Sequence, residues 1–364
     1  YSILIFLNAV GMEWLYKSLE LYSYITIRSI IFKLISVILM FLLVKSEDDY
    51  VIYGMISVLS SGGSYLCNFY NARKYISWKP QQHYHLKRHM KAIFTFFAMS
   101  CATTIYTNLD TVMLGFMKTD ADVGYYNASI KIKSVLLSLV TSLGTVLLPR
   151  TSYYVEHNLT EKLYDICKKS FNFVFLIALP VCMYFTIFAR NAILFISGSE
   201  YMNSVVPMQI LMPTVLIIGI TNVLGLQILV PLGREKQVLY SEVIGAFTDI
   251  VINLALIPGY GAAGAAIGTL AAEIMVLIYQ LFVLRDMAGM IFKETQYVKI
   301  ISATVLSSAG AICVLTMNLN NLLTLPLSAI LFFFIYFTAL MIFKEKLCMS
   351  FYKQFLSKMQ NMKK

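Results

Sequence analysis

The 364-residue chain is 59% hydrophobic and 13% charged, with a formal net charge of +10 and a mean hydropathy of +0.72. Soluble domains are roughly 45–50% apolar, so this composition excludes a water-soluble core and points to a chain that lives in lipid. The basic excess does not read as nucleic-acid binding, because Lys and Arg fall in short gaps between apolar blocks and build no continuous basic face.

Taken in order, apolar spans are predicted at 1–12 (a partial span), 24–44, 50–70, 92–117, 123–148, 171–196, 205–232, 238–258, 261–284, 298–317 and 322–343. Crossing a bilayer takes about 20 apolar residues, and every backbone group must bond internally, so each span is read as a helix. The expected fold class is therefore an all-α integral membrane protein with about eleven transmembrane helices. Tyr1 already lies in an apolar segment, so the chain reads as a piece that has lost its start; no signal peptide is visible.

The gaps between spans alternate in charge. Lys17 and Arg28, the run from Arg73 to Lys91, Arg150 to Lys169, Arg234 with Lys236, Arg285 to Lys299 and the C-terminal lysines fall on one side. The opposite gaps hold only Lys45 and Lys118. The basic side is the cytoplasmic one, which puts the C-terminus in the cytoplasm of a multi-pass protein. Residues 71–91, with Trp78, Pro80, His83, His85 and His89, read as a cytoplasmic linker between two bundles rather than a metal cluster. Residues 151–170 read as an interfacial amphipathic helix. The segments Leu21–Ile25 and Leu239–Val243 echo one another, which suggests a parallel repeat. The six cysteines form no CxxC pair, no disulfide framework or zinc site is expected, and no phosphate-binding GxxxxGK[ST] loop occurs.

Several motifs carry a family resemblance. Glu13–Glu20 with Tyr24–Arg28, Tyr106–Gly115, Val123–Ala128 with Lys131, Leu148–Ser152 and Pro258–Ala266 together resemble the Wzx-type polysaccharide flippases, in the same order and over essentially the whole chain. The resemblance implies the multidrug/oligosaccharidyl-lipid/polysaccharide exporter fold, with two pseudo-repeated six-helix lobes, in the bacterial inner membrane. It implies a transporter, not an enzyme, that flips an undecaprenyl-diphosphate-linked oligosaccharide of O-antigen, capsule or exopolysaccharide to the outer leaflet. On that pattern about three N-terminal helices are missing. Residues 1–70 are the remainder of the first lobe, 92–285 the C-terminal six-helix lobe, and 286–364 two extra helices with a basic tail. Implied partners are the lipid-linked diphosphate, membrane lipids and other polysaccharide-assembly membrane proteins, with no cofactor and no nucleic acid.

A charge at mid-bilayer costs about 2.5–3.5 kcal/mol and asks for a partner or a wet cavity. Asp110 and Lys131 stand at similar distance from the turn near 119–121, so they are expected to pair across the hairpin. That pair is either a structural lock or a cavity cation that meets the diphosphate, with Asn108 and Asn127 at the same level. Arg28 and Lys33 are further candidate cations on faces about 140° apart; Arg28 either lines the cavity or snorkels to headgroups. Lys133 lies about 200° round the helix from Lys131 and should not share its surroundings, and Arg190 is expected to snorkel.

Glu242, Asp249 and Asn253 recur at spacings of seven and four and form one polar stripe, with Glu273 on the next helix. Asp249 and Glu273 are the candidates for coupling transport to a proton or sodium gradient; for Glu242, pairing with Arg234 or Lys236 suffices. Gly261, Gly264 and Gly268 favour close helix packing, and Pro180, Pro207 and Pro213 are expected to kink their helices. The alternatives are a cation-coupled drug exporter of the same fold, a membrane-embedded polysaccharide polymerase or transferase, and a passive channel or scaffold. A drug exporter would want a dominantly acidic cavity. A polymerase would want a long outer loop, and every outer gap here is short.

Overall fold

The computed structural model describes residues 2–77, 86–292, 296–315 and 321–350. Among them all regular structure is helical, and nine helices are long and apolar enough to cross a membrane. Backbone contacts divide the chain into two compact units, Tyr1–Arg88 and His89–Lys364. His83, His85, Trp78 and Pro80 of the expected linker lie outside the described residues.

The first unit holds α1 (Ile3–Val10), α2 (Glu13–Ser18), α3 (Tyr22–Leu43) and α4 (Tyr50–Ala72). Helices α3 and α4 pack as a hairpin, with α1 against α4. Their turn is closed by Asp49, whose carboxylate accepts from the Lys45 and Ser46 amides, both at 2.9 Å, and from the Ser46 hydroxyl. These three bonds hold the Asp49 carboxyl below its ordinary pKa.

The second unit runs α5 (Leu86–Met117), α6 (Asp120–Glu156), α7 (Thr160–Ile187), α8 (Ala189–Ile196), α9 (Val205–Asn222), α10 (Glu235–Tyr260), α11 (Ala262–Val283), α12 (Arg285–Phe292), α13 (Tyr297–Leu315) and α14 (Asn321–Ile342). Helix α6 begins where the Thr119 hydroxyl accepts from the Asp122 amide, with Asp120 and Asp122 favouring the positive end of the helix dipole. It ends in a left-handed residue, Asn158, with Leu159 N bonded to Tyr154 O and Asn158 N to Val155 O. That pattern satisfies the last carbonyls and turns the chain straight into α7. The expected interfacial helix at 151–170 is therefore absent as a separate element. Its residues are the end of α6 and the start of α7, and its apolar side chains are in part core, as Leu163 and Cys167 show.

The main core gathers the inner faces of α6, α7, α8 and α9, including Phe171, Met208, Met212 and Val215, all fully buried. Helices α10 and α11 form the most extensive pair. A Cβ on Gly264 would stand 2.6 Å from the Leu256 carbonyl oxygen, so only glycine lets the two backbones approach this closely. Helices α13 and α14 dock on α7 through Tyr336, whose hydroxyl donates to the Leu176 carbonyl at 2.8 Å, and through Tyr184, which donates to the Leu325 carbonyl at 2.7 Å. Pro180 and Pro213 lie inside α7 and α9 as expected. Pro207 differs: it sits in the first turn of α9, where its missing N–H has no intrahelical acceptor to lose. Just beyond α9 the chain widens into a π-helical stretch, Val223–Leu229.

Candidate functional site

Two polar systems stand back to back on α5 and α6. The first is buried. Asp110, 1% exposed, accepts from the Asn253 amide at 2.6 Å and from the Thr269 hydroxyl at 2.8 Å; the Tyr126 hydroxyl donates to its second oxygen as well. Four helices, α5, α6, α10 and α11, thus converge on one carboxylate. The expected partner, Lys131, is not there: it points to the exposed face of α6 and makes no ion pair with Asp110 among the described residues. The correction has a geometric cause. Distance from the hairpin turn sets depth but not azimuth, and Lys133, two residues on, is the lysine that faces inward, 8% exposed.

Asp249 and Asn253 lie beside this cluster, both fully buried. Neither carboxylate oxygen of Asp249, nor the amide oxygen of Asn253, has a hydrogen-bond partner among the described residues. Three buried acceptors, two of them on a carboxylate, are thus left without a hydrogen-bond donor among the described residues, and burial of that kind is costly unless a cation or a shared proton joins them. The oxygen-only set suits a hard cation or a shared proton. Gly268 belongs to this arrangement, since a Cβ there would run into the Asn253 side chain and stand 2.9 Å from Asp249 Oδ1. Its role is to leave room for the polar cluster, beyond the helix packing expected of it.

A cavity of about 290 Å³ opens beside the cluster, lined by Asp110, Tyr126, Lys133, Thr269 and Glu273 among others. Glu273 is 3% exposed. Glu242 is two turns along α10 from Asp249; it accepts from the Thr103 hydroxyl at 3.4 Å and makes no ion pair with Arg234 or Lys236 among the described residues. The predicted stripe is thus split between two levels of the bundle.

The second system is exposed. On α5, Ser100, Thr104, Thr107 and Asn108 are exposed in sequence, with Thr111 half-buried above them. On α6, Lys131, Ser134, Ser138 and Ser142 are exposed, with Asn127 half-buried. Helical spacing puts each set in one stripe, while the exposed apolar Val135, Leu139 and Val146 of α6 form a separate one. The Thr111 hydroxyl donates to the Asn127 side-chain oxygen at 3.4 Å and joins the two stripes. A strip of hydroxyls, amides and one ammonium in so apolar a bundle is a surface for water or a polar solute, not for acyl chains.

In the first unit Arg28 is 7% exposed. Its guanidinium lies 5.9 Å from the Tyr24 ring centroid and donates from Nη2 to the Ser29 hydroxyl at 3.1 Å; Nε and Nη1 have no partner among the described residues. Tyr24 stacks on Tyr16, whose hydroxyl donates to the Asn68 carbonyl at 2.6 Å, so aromatic packing fixes the arginine's surroundings. Lys33 is exposed, as the spacing of five residues predicts for a different face. Arg190 is exposed at the start of α8.

Comparison with known proteins agrees with this architecture. The family described as "Polysaccharide biosynthesis protein" matches residues 1–155, and the MatE family matches residues 96–255. A Shigella dysenteriae protein assigned to O-antigen transport is 27% identical over 292 residues, 77% of this chain and 70% of the relative. One from Escherichia coli K12 with the same assignment is 24% identical over 281 residues, 77% of this chain and 68% of the relative. Among solved structures, the lipid II flippase MurJ in an inward closed conformation superposes with a TM-score of 0.64 over 93% of this chain and 71% of its own, at 16% identity.

Proposed function

Because the chain belongs to the Wzx-type group of the multidrug/oligosaccharidyl-lipid/polysaccharide exporter superfamily, we propose that it flips a polyprenyl-diphosphate-linked oligosaccharide across the bacterial inner membrane. The observation that carries the reading is the exposed polar strip on α5 and α6. Sugars and a diphosphate need a wet route through hydrocarbon, and Asn108, Asn127, Lys131 and the serine ladder supply hydrogen-bonding groups along one. Arg28, with Nε and Nη1 unpartnered among the described residues and an aromatic shelf beside it, suits a phosphate oxygen pair. In this reading the basic gaps and the C-terminus lie on the cytoplasmic side, and the solute moves from the inner to the outer leaflet. The work is translocation, with no bond made or broken.

Asp110 takes a different part from the one its position in the sequence suggested. Enclosed by Asn253, Thr269 and Tyr126, it joins Asp249 in holding a coupling cation, with Glu273 on the wall of the adjoining cavity. An acid-rich cavity is also what a cation-coupled drug exporter of the same fold would want; the exposed polar strip, which suits sugars and a diphosphate rather than a hydrophobic cation, is what favours polysaccharide export.

Complementation by the full-length gene tests the reading. A flippase-deficient strain should regain surface polysaccharide, and lipid-linked intermediates should move from the inner to the outer leaflet. Restoration of drug efflux without polysaccharide would overturn it.

A further inference from the structure

Below the Asp110 cluster the second unit contains another cavity, of about 240 Å³, lined by Thr221, Gly225, Glu242, Glu273 and Gln280 among others. The two cavities share Thr103, Ile218 and Glu273 in their walls, so these residues form the partition between them. At liquid density the upper has room for about ten waters and the lower for about eight. Gln280 and Val238 mark the lower end, close to the last turn of α11 and the first turn of α10, both on the basic side of the membrane. Asp110 and Asp249 mark the upper end.

The lower cavity is built for positive charge. Among the described residues no Lys, Arg or His lines it, whereas the upper one holds Lys133. Its polar groups are the Glu242 and Glu273 carboxylates, the side chains of Thr103, Thr221 and Asn222, and Gln280. Gln280 is 1% exposed; its amide nitrogen donates to the Ser241 hydroxyl at 3.1 Å, while its amide oxygen has no partner among the described residues. An anchored amide that leaves a bare, buried oxygen on an acidic cavity is an acceptor waiting for a cation. The wall opposite is the π-helical stretch, where Gly225 stands against Gln280: a Cβ there would lie 3.4 Å from Nε2 and 3.8 Å from Oε1. Widened turns of this sort recur at functional sites.

We propose that the lower cavity is a second monovalent-cation site, a cytoplasmic-side station that exchanges the coupling ion with Asp110 and Asp249 past Glu273. This rests on the ion-coupling reading above and adds to it where the ion meets the cytoplasmic side and what holds it there. Glu242 attracts the ion, Gln280 Oε1 completes its oxygen shell, and Glu273 hands it across the partition. Sodium and the proton share the chemistry required.

The test is accessibility with protection. Thr221→Cys, and separately Leu226→Cys, are placed in full-length protein whose native cysteines are replaced by alanine, and probed with a membrane-impermeant thiol reagent. Labelling is expected in inverted vesicles and not in right-side-out ones. Sodium chloride at saturation should slow it about fivefold relative to choline chloride if sodium is the ion, and acidification should do so if it is the proton. Glu242→Gln and Gln280→Leu should each remove that protection, while Asp249→Asn should leave it in place. The proposal is overturned if both positions stay unlabelled in inverted vesicles, or if labelling ignores both ions. Should sodium and pH still raise the thermal stability of the parent protein in that event, ion coupling survives and only the cytoplasmic-side station falls. If neither ion affects stability or flipping, the coupling reading falls with it.

Discussion

Replacement of Gly268 by alanine puts the cation cluster to its most direct test. The new methyl group would occupy space held by the Asn253 side chain and would stand 2.9 Å from Asp249 Oδ1. Asn253 must swing away, and its 2.6 Å bond to Asp110 goes with it. Loss of a hydrogen bond to a charged group costs about 1.5–3 kcal/mol and overpacking about 1–3 kcal/mol, while alanine regains about 1 kcal/mol of helix propensity. The expected net destabilisation is about 2–5 kcal/mol. More telling is the ligand dependence. Thermal unfolding of purified protein in nanodiscs, in sodium chloride against choline chloride and across pH, should lose its cation-dependent increment in Gly268→Ala. Gly259→Ala provides the control, since nothing stands within 4 Å of a Cβ at that position. If Gly268→Ala unfolds at the wild-type midpoint and keeps the full cation increment, the acceptor cluster does not bind the ion as described.

Three further outcomes follow from the geometry. Lys131→Ala should lower surface polysaccharide about tenfold or more at unchanged membrane insertion, because it removes the ammonium from the exposed strip; the charge-swapped pair Asp110→Lys with Lys131→Asp should not restore function, since the two side chains do not meet, and rescue would contradict the exposed placement of Lys131. Arg28→Lys should recover only part of the export lost in Arg28→Ala, as an ammonium cannot grip two phosphate oxygens in parallel, and equal export by both variants would remove the guanidinium from substrate contact. At the α3–α4 turn, the folded Asp49 carboxyl titrates below its unfolded value, so its stabilising contribution is complete above the ordinary carboxylate pKa of about 3.9 and is lost as pH falls through the folded pKa. Asp49→Asn should flatten that acid limb in hydrogen exchange at the start of α4; an unchanged limb would mean that another group sets it.

The helices were legible because the bilayer imposes a length and a polarity that composition cannot disguise. Most predicted spans fall on one helix each, the shortest, at 1–12, on α1; the span at 171–196 is instead divided between α7 and α8, and that at 205–232 runs from α9 into the π-helical stretch. What could not be read was azimuth. Lys131 and Lys133 occupy nearly the same depth, and only packing decides which of two lysines about 200° apart meets the interior. Tyr126 and Thr269 do not stand out in the sequence for a related reason: a tyrosine and a threonine in apolar helices usually bond a nearby carbonyl, as Thr269 also does to Ala265. A signal did exist. A single carboxylate in the middle of a span must find several donors, and the few polar residues at matching depth on other spans were Asn253, Thr269 and Tyr126. The donors of Asp110 are thus fixed by depth and polarity, whereas Lys131 shares its depth but stands on another face of α6.

The two polar systems share their supporting helices, and this bears on how an ion could drive a much larger solute. Asp110 and Thr111 are consecutive on α5; Tyr126 and Asn127 are consecutive on α6. The inner members bond to each other across the hairpin, and so do the outer ones. The inner bond ends on the carboxylate that also holds α10 and α11, through Asn253 and Thr269. A cation drawn between Asp110 and Asp249 therefore competes for the same oxygens that clamp α5 to three neighbours. Any shift of α5 against α6 on the buried side is carried to the exposed side within one residue of the strip that includes Asn108, Asn127 and Lys131. A buried hydrogen-bond network of this kind switches between discrete arrangements instead of deforming smoothly, because each half-satisfied state leaves a charged group unpaired. The ion need not touch the substrate to change the surface the substrate meets.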